Sequence, residues 1–362
     1  MESPPEQRWA RMFAEHGTLV ASLLKWSALA AAVGALAGVG TAVFLRVLDW
    51  AVAAMAHAPW RLAWLPVGFV TAYLLVRFFA RDAEGHGTDK VIEAVHQRSG
   101  RISLIVAPVK LAATVVTIGV GGSVGKEGPA AQIGASLASG LASLLRLGRR
   151  DRRKVVICGI GAGFASVFGT PIAGAIFGLE VLVLGSLMYD VLYPSFVAGI
   201  VGYHVASQLG VRYFHHTLPI LPAPSERVFV ETLLAGLLFG FIALLLIEAL
   251  RSVHHLAHRV SAPGWMVAAA GGAVIALGAW LISDRYLGLG LPTLEAALRG
   301  DATPPEAAVL KILFTAVSLG TGGSGGIVTP IFFIGATAGS VVGHVLGLDP
   351  GTFAAIGMVA LL

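Results

Sequence analysis

Residues 110–136 and 311–337 align without a gap at a constant offset of 201, and 12 of the 27 positions are identical. The identities include Lys110/Lys311, Thr114/Thr315, the Gly-Gly-Ser triplets 121–123 and 322–324, Gly125/Gly326, Pro129/Pro330 and Gly134/Gly335. A block written twice in one chain builds the same local structure twice, so the fold must place two copies about an axis. Upstream, Gly85-His86-Gly87 before Ile92-Glu93-Ala94 has its counterpart in Gly288-Leu289-Gly290 before Leu294-Glu295-Ala296. The repeat is therefore long: residues 18–210 form one copy, 211–226 a polar linker with His215, His216, Pro219, Pro222 and Pro224, and 227–362 the second copy.

The solvent for such a fold follows from composition. Of 362 residues 56% are hydrophobic and 12% charged, about half the charge of a soluble domain. The expected class is an all-α, polytopic membrane protein. Apolar stretches run over 18–56, 60–80, 102–120, 129–146, 155–167, 171–187, 189–209, 227–250, 265–283, 306–319, 330–347 and 352–362. Several are shorter than the roughly 20 residues that span a bilayer. Broken, tilted segments of that kind must bury their free backbone groups in protein or around a polar cavity. The basic cluster Arg146, Arg149, Arg150, Arg152, Arg153 and Lys154 marks a cytoplasmic face by the positive-inside rule, and residues 1–17 are expected to be a cytoplasmic N-terminal segment. The small net charge of +5 thus reads as membrane orientation, not nucleic-acid binding. The second copy stops inside the segment matching 155–167, so about 50 residues of it are expected to be missing by comparison with the first copy.

The block Gly121-Gly122-Ser123-Val124-Gly125-Lys126-Glu127-Gly128-Pro129 carries the chemistry. Glycines leave backbone N–H groups open, and Pro129 suits the first turn of a helix. A helix running on from there points free amides and about half a positive charge at whatever precedes it. Gly326-Ile327-Val328-Thr329-Pro330 builds a second terminus of the same design. With the copies inverted, both ends converge near the midplane and hold one anion on two sets of amides. Glu127 faces Val328 in the repeat, so the scaffold needs no carboxylate there, and an ionisable residue inside the membrane is functional by default. Deprotonated, it can occupy the amides as a gate; the bland alternative is a carboxylate capping its own helix. His86, between two glycines at the mouth of another half-helix, is a further candidate on the anion path, able to donate one N–H and titrating near neutrality.

Three other patterns are weaker. Val120 and Glu127 break a phosphate-binding P-loop at two required positions. Gly322-Gly323-Ser324-Gly325 with His344 spells an intramembrane serine protease nucleophile and base, but Ser123 repeats Ser324 with no matching histidine. His254, His255 and His258 have metal-like spacing without a nearby carboxylate or Cys, and read as a basic interfacial helix end. Cys158 is the one cysteine, so no intrachain disulfide forms.

At these residues the sequence resembles the CLC family of chloride channels and chloride/proton exchangers. Gly125-Lys126-Glu127-Gly128-Pro129 with Gln132-Ile133-Gly134 looks like the family's gate motif, Gly85-His86-Gly87-Thr88-Asp89 lies where the family has Gly-Ser-Gly-Ile-Pro, and Gly326 to Pro330 where it has Gly-x-Phe-x-Pro. Phe168 to Gly174, leading to Glu180, also matches. The resemblance implies the inverted-repeat CLC bundle, with its second repeat incomplete, as a homodimer with one pore per subunit. It makes Glu127 the external gating glutamate and the Ile327 and Val328 amides anion ligands, beside His86, Gly87, Lys126, Gly128 and Gly326. His86 replaces the pore serine and Val328 the phenylalanine. Val181 stands where exchangers carry an inner proton-transfer glutamate, with Glu180 beside it as another proton route from Glu127.

The expectation is membrane transport of chloride or a similar small anion through a midplane site, as a passive channel. A chloride/proton or fluoride/proton antiporter is the alternative, and the protease a remote one. The partners are the anion, protons and the lipid bilayer, in the plasma membrane of a bacterium. No enzymatic activity, cofactor or metal is implied.

Overall fold

The computed structural model describes residues 5–56, 58, 60–181, 189–213 and 226–362. Among them are fourteen α-helices and no strand. The first copy of the repeat is α1 (Pro5–Ala56), α2 (Trp64–Phe79), α3 (Thr88–Gln97), α4 (Val106–Gly119), α5 (Glu127–Leu144), α6 (Arg149–Phe168), α7 (Pro171–Glu180) and α8 (Tyr189–Gln208). The second is α9 (Glu226–Arg259), α10 (Gly264–Leu281), α11 (Leu291–Leu298), α12 (Ala307–Gly320), α13 (Val328–Leu346) and α14 (Pro350–Ala360). The pairing of copies runs α1 with α9 through α6 with α14.

Five helices are long and apolar enough to cross a membrane: Leu19–Ala56, Arg61–Phe79, Val228–Arg259, Gly264–Leu281 and Val328–Leu346. Others, such as Val106–Gly119, Ala307–Gly320 and Pro350–Ala360, are half-length, as the short apolar stretches require. Large side chains face outward, with Phe229, Leu233, Leu237, Phe241 and Leu244 exposed along α9. The interior combines aromatic anchors such as Phe44, Phe69, Phe333 and Tyr286 with many alanine, glycine and hydroxyl side chains, including buried Thr114, Thr117, Ser123, Thr315, Ser318 and Ser324. Lipid is as apolar as leucine, so helices associate through close backbone approach and internal hydrogen bonds.

Close approach is most severe where each gate-block helix meets its successor. α5 packs on α6 and α13 on α14. A Cβ added to Gly134 would lie 2.2 Å from the Gly159 carbonyl oxygen, and one added to Gly335 would lie 2.2 Å from that of Gly357. Gly134 and Gly335 are repeat equivalents, so the same contact recurs in both copies.

Four expectations change in detail. Residues 5–17 are helical and continuous with α1 rather than a separate segment, because nothing between them and residue 18 breaks a helix. α5 and α13 open at Glu127 and Val328, two residues before each proline; proline is tolerated anywhere in a first turn because those N–H groups lack helical partners. The linker is shortened by Glu226, which already opens α9; most of it, with its histidines and prolines, lies at 214–225, outside the described residues. The 171–187 stretch ends as a helix at Glu180, and 182–188 also lie outside the described residues.

Gly134→Ala and Gly335→Ala are each expected to cost about 1–3 kcal/mol through overpacking. A thermal melt of the detergent-solubilised protein measures this; an unchanged midpoint contradicts the contact.

Candidate functional site

The two gate-block helices meet head to head. Gly125 and Gly326 form an isolated antiparallel bridge, the Gly125 N–H donating to the Gly326 carbonyl at 2.6 Å and the reverse bond measuring 2.7 Å. Both preceding turns depend on glycine in the left-handed region, Gly121 and Gly322 each having φ of 111°.

Hydroxyls lock this junction reciprocally. The Ser123 N–H donates to Ser318 Oγ and the Ser324 N–H to Thr117 Oγ1, both at 3.0 Å. Ser123 Oγ pairs with Thr315 Oγ1 at 3.1 Å, and Ser324 Oγ with Thr114 Oγ1 at 3.3 Å. Each copy thus supplies the serine that the other copy's helix accepts. Ser324 is a clasp residue, and the protease expectation fails on geometry as well. His344 stands sixteen residues beyond Val328 on α13, about 24 Å along the axis at 1.5 Å per residue, and its Nδ1 is engaged with the Ser340 carbonyl at 2.8 Å.

Glu127 is 2% exposed and reaches across the junction to the other copy. Its Oε2 accepts from the Thr329 N–H at 3.2 Å and its Oε1 from the Thr329 hydroxyl at 2.5 Å. The carboxylate therefore sits at the N-terminal end of α13, where free amides and the helix dipole favour an anion. A Cβ on Gly125 would lie 2.7 Å from Glu127 Oε2, and Gly87, Gly128 and Gly326 pack closely beside that turn. A Cβ on Gly128 would meet the His86 carbonyl oxygen at 2.3 Å, and one on Gly326 would meet the Gly128 nitrogen at 2.9 Å. Lys126 and Ile327 are the half-buried N-caps of α5 and α13, and Val328 begins α13.

The Gly-x-Gly turns are held by buried lysines. Lys110 Nζ donates to the Ala83 and Gly85 carbonyls at 3.1 and 2.6 Å. Lys311 Nζ donates to those of Tyr286 and Gly288 at 3.1 and 2.8 Å. His86, in the first of these turns, brings Nδ1 to 3.3 Å from Asp89 Oδ2.

The structure thus gathers His86, Gly87, Glu127, Gly128 and Gly326, with Lys126, Ile327 and Val328 at the same two helix starts. Glu180 is exposed at the end of α7, a helix that packs on α6 and α8. No group of three or more metal-ligating side chains occurs among the described residues; His254 and His258 stack edge-to-face at 4.3 Å. Thr329, Gln132 and the two lysines were not assigned site roles from sequence. Thr329 had a signal, since it puts a hydroxyl where the repeat has Gly128.

Residues 67–362 match the voltage gated chloride channel family. A chloride/fluoride channel protein of Pseudomonas syringae pv. tomato is 38% identical over 95% of this chain and 77% of its own length. The chain belongs to the voltage-gated chloride channel family. Among solved structures, a CLC-type fluoride/proton antiporter is 28% identical, with a TM-score of 0.88 over 94% of this chain and 86% of its own. A slow cyanobacterial chloride/proton antiporter shares the fold at 19% identity, with a TM-score of 0.79 over 93% and 84% of the two chains. The family's inverted-repeat bundle is therefore the fold of this multi-pass membrane protein.

Removing either clasp hydroxyl, by Ser123→Ala or Ser324→Ala, is expected to cost about 1 kcal/mol of stability, by equal amounts for the two symmetric positions. Chemical denaturation in detergent reads this; a loss of peptide-cleaving activity confined to Ser324→Ala would contradict the clasp assignment.

Proposed function

We propose that this anion transporter exchanges a small halide, fluoride foremost, for protons, with Glu127 as the group that links the two. The observation that carries the reading is the Glu127 carboxylate at the α13 N-terminus, bonded to the N–H and hydroxyl of Thr329. An anion that binds those amides must displace the carboxylate. Protonation removes the charge that holds it there, because a neutral acid gains little from a helix dipole or from charge-assisted donors. One position therefore takes either an anion or a deprotonated Glu127, and that competition couples the two movements.

The expectation of a passive channel rested on Val181. The antiporter reading kept beside it is better supported, since both solved relatives named above are proton antiporters. Fluoride is placed first because the names of the Pseudomonas relative and of the 28% identical structure both include it. Fluoride is also a compact acceptor suited to amide, hydroxyl and imidazole donors. The anion ligands in this reading are the amides opening α13 at Ile327 and Val328, with His86, Gly87, Lys126, Gly128 and Gly326 around them. The working form is a homodimer in a bacterial plasma membrane.

Liposomes loaded with fluoride or chloride, with anion and internal pH recorded together, test the exchange. Anion-driven proton movement is expected, and anion flux without it overturns the reading. Glu127→Ala is expected to leave anion flux open, independent of pH and free of proton movement. Thr329→Val removes a hydrogen bond to a charged group, worth roughly 1.5–3 kcal/mol, while Thr329→Ser keeps it. The valine variant should raise anion leak at neutral pH about tenfold or more, and the serine variant should not; equal leak in the two denies Thr329 a part in gating.

A further inference from the structure

The gate needs a route by which protons reach it from one face of the membrane. α3 begins beside His86, and its other end leads to Gly100, where an added Cβ would lie 3.4 Å from the Arg153 Cα. α3 therefore rises from the basic surface, which the positive-inside rule makes cytoplasmic. Its ten residues cover about 15 Å, half of a hydrocarbon core of about 30 Å. That length carries the chain from the basic surface to His86, whose backbone carbonyl oxygen would lie 2.3 Å from a Cβ on Gly128 in the first turn of α5. Its side chain is 29% exposed.

Two observations make this a built position. Asp89 Oδ2 lies 3.3 Å from Nδ1; with Nδ1–H donating to that carboxylate, Nε2 is left to take up a proton. Gln132 is 1% exposed; its Nε2 donates to the Asp82 carbonyl at 2.7 Å, which turns Oε1 toward Gly87, 3.0 Å from where a Cβ there would lie. That Oε1 is buried and accepts from no described group. A buried carbonyl oxygen of this kind is an acceptor for a donor lodged between the His86 turn and α5.

We propose that His86, positioned by Asp89, is the cytoplasmic proton carrier of this protein, and that Gln132 Oε1 anchors the donor through which its proton passes to Glu127. This rests on the proton-coupled reading above. The proton taken from the cytoplasm onto Nε2 leaves the imidazolium and ends on a Glu127 carboxylate oxygen, restoring neutral imidazole; no other bond changes. The other charged groups around the ring are Glu84 and Asp82 before it, Lys90 after it, Lys110 on the Gly85 carbonyl, and Lys126 at the start of α5. From α9, His254 lies within electrostatic reach of Glu84 and His86, with His255 and His258 beside it.

The experiment compares the full-length wild type, His86→Gln, Gln132→Leu and Asp89→Asn in liposomes carrying a fluoride gradient, reading protons moved per anion against cytoplasmic-side pH. The ratio is expected to fall at least about tenfold in His86→Gln and to fall in Gln132→Leu. The Asp89→Asn profile should move to lower pH by about half a unit or more, because the lost carboxylate no longer favours the imidazolium. A wild-type ratio in His86→Gln overturns the proposal. If that variant does not elute as folded protein, a well-folded Asp89→Asn with an unmoved profile overturns it instead. A wild type that moves no protons fails the exchange reading itself, which separates the two failures.

Discussion

Everything in this protein is arranged around two helix N-termini forced together. α5 and α13 meet through the Gly125–Gly326 bridge, and each brings about half a positive charge to a region of low dielectric. Two like charges held that close repel, so the junction needs both a mechanical lock and a negative charge. The lock is the reciprocal set of serine and threonine hydroxyls from α4, α12 and the two glycine turns. The negative charge is the Glu127 carboxylate. Affinity for an anion is thus a consequence of the fold's own electrostatics, before any side chain is chosen for selectivity.

The rest of the packing serves that junction. Close backbone contacts such as Gly134 on Gly159 and Gly335 on Gly357 let each gate-block helix pack tightly against its successor. The central ends are then free to face polar groups. The lysines act in parallel: Lys110 and Lys311, fully buried, each tie the carbonyl of the first glycine of a Gly-x-Gly turn to the carbonyl two residues before it, satisfying backbone just ahead of a short helix. The repeat is therefore symmetric where it builds structure and asymmetric around the Glu127 carboxylate. Glu127 faces Val328, Gly128 faces Thr329 and Gln132 faces Phe333 across the copies.

That asymmetry also marks what reading the chain could and could not reach. The repeat, the half-length helices, the convergence of two N-termini and the structural part of Ser324 were all legible, because each follows from glycine, proline and hydropathy in one dimension. Pro129 and Pro330 do lie in the first turns of α5 and α13, which open two residues earlier at Glu127 and Val328, because proline marks a first turn without fixing which residue opens it. Thr329 as the partner of Glu127 was missed because the two are 202 residues apart and meet only across the axis. Glu180 was singled out by its place in a motif, and the structure shows it exposed at the end of α7.

By itself the sequence determined the class, the twofold design and the identity of the one carboxylate within the gate block, since a charge at an otherwise apolar repeat position has few roles in a membrane. Only the tertiary structure decided which groups hold that carboxylate, which oxygen of Gln132 is left without a partner, and that His86 is held by Asp89 against the first turn of α5. Those facts depend on the axis between the copies and on side-chain direction, and neither is encoded in the spacing of residues along one strand of chain.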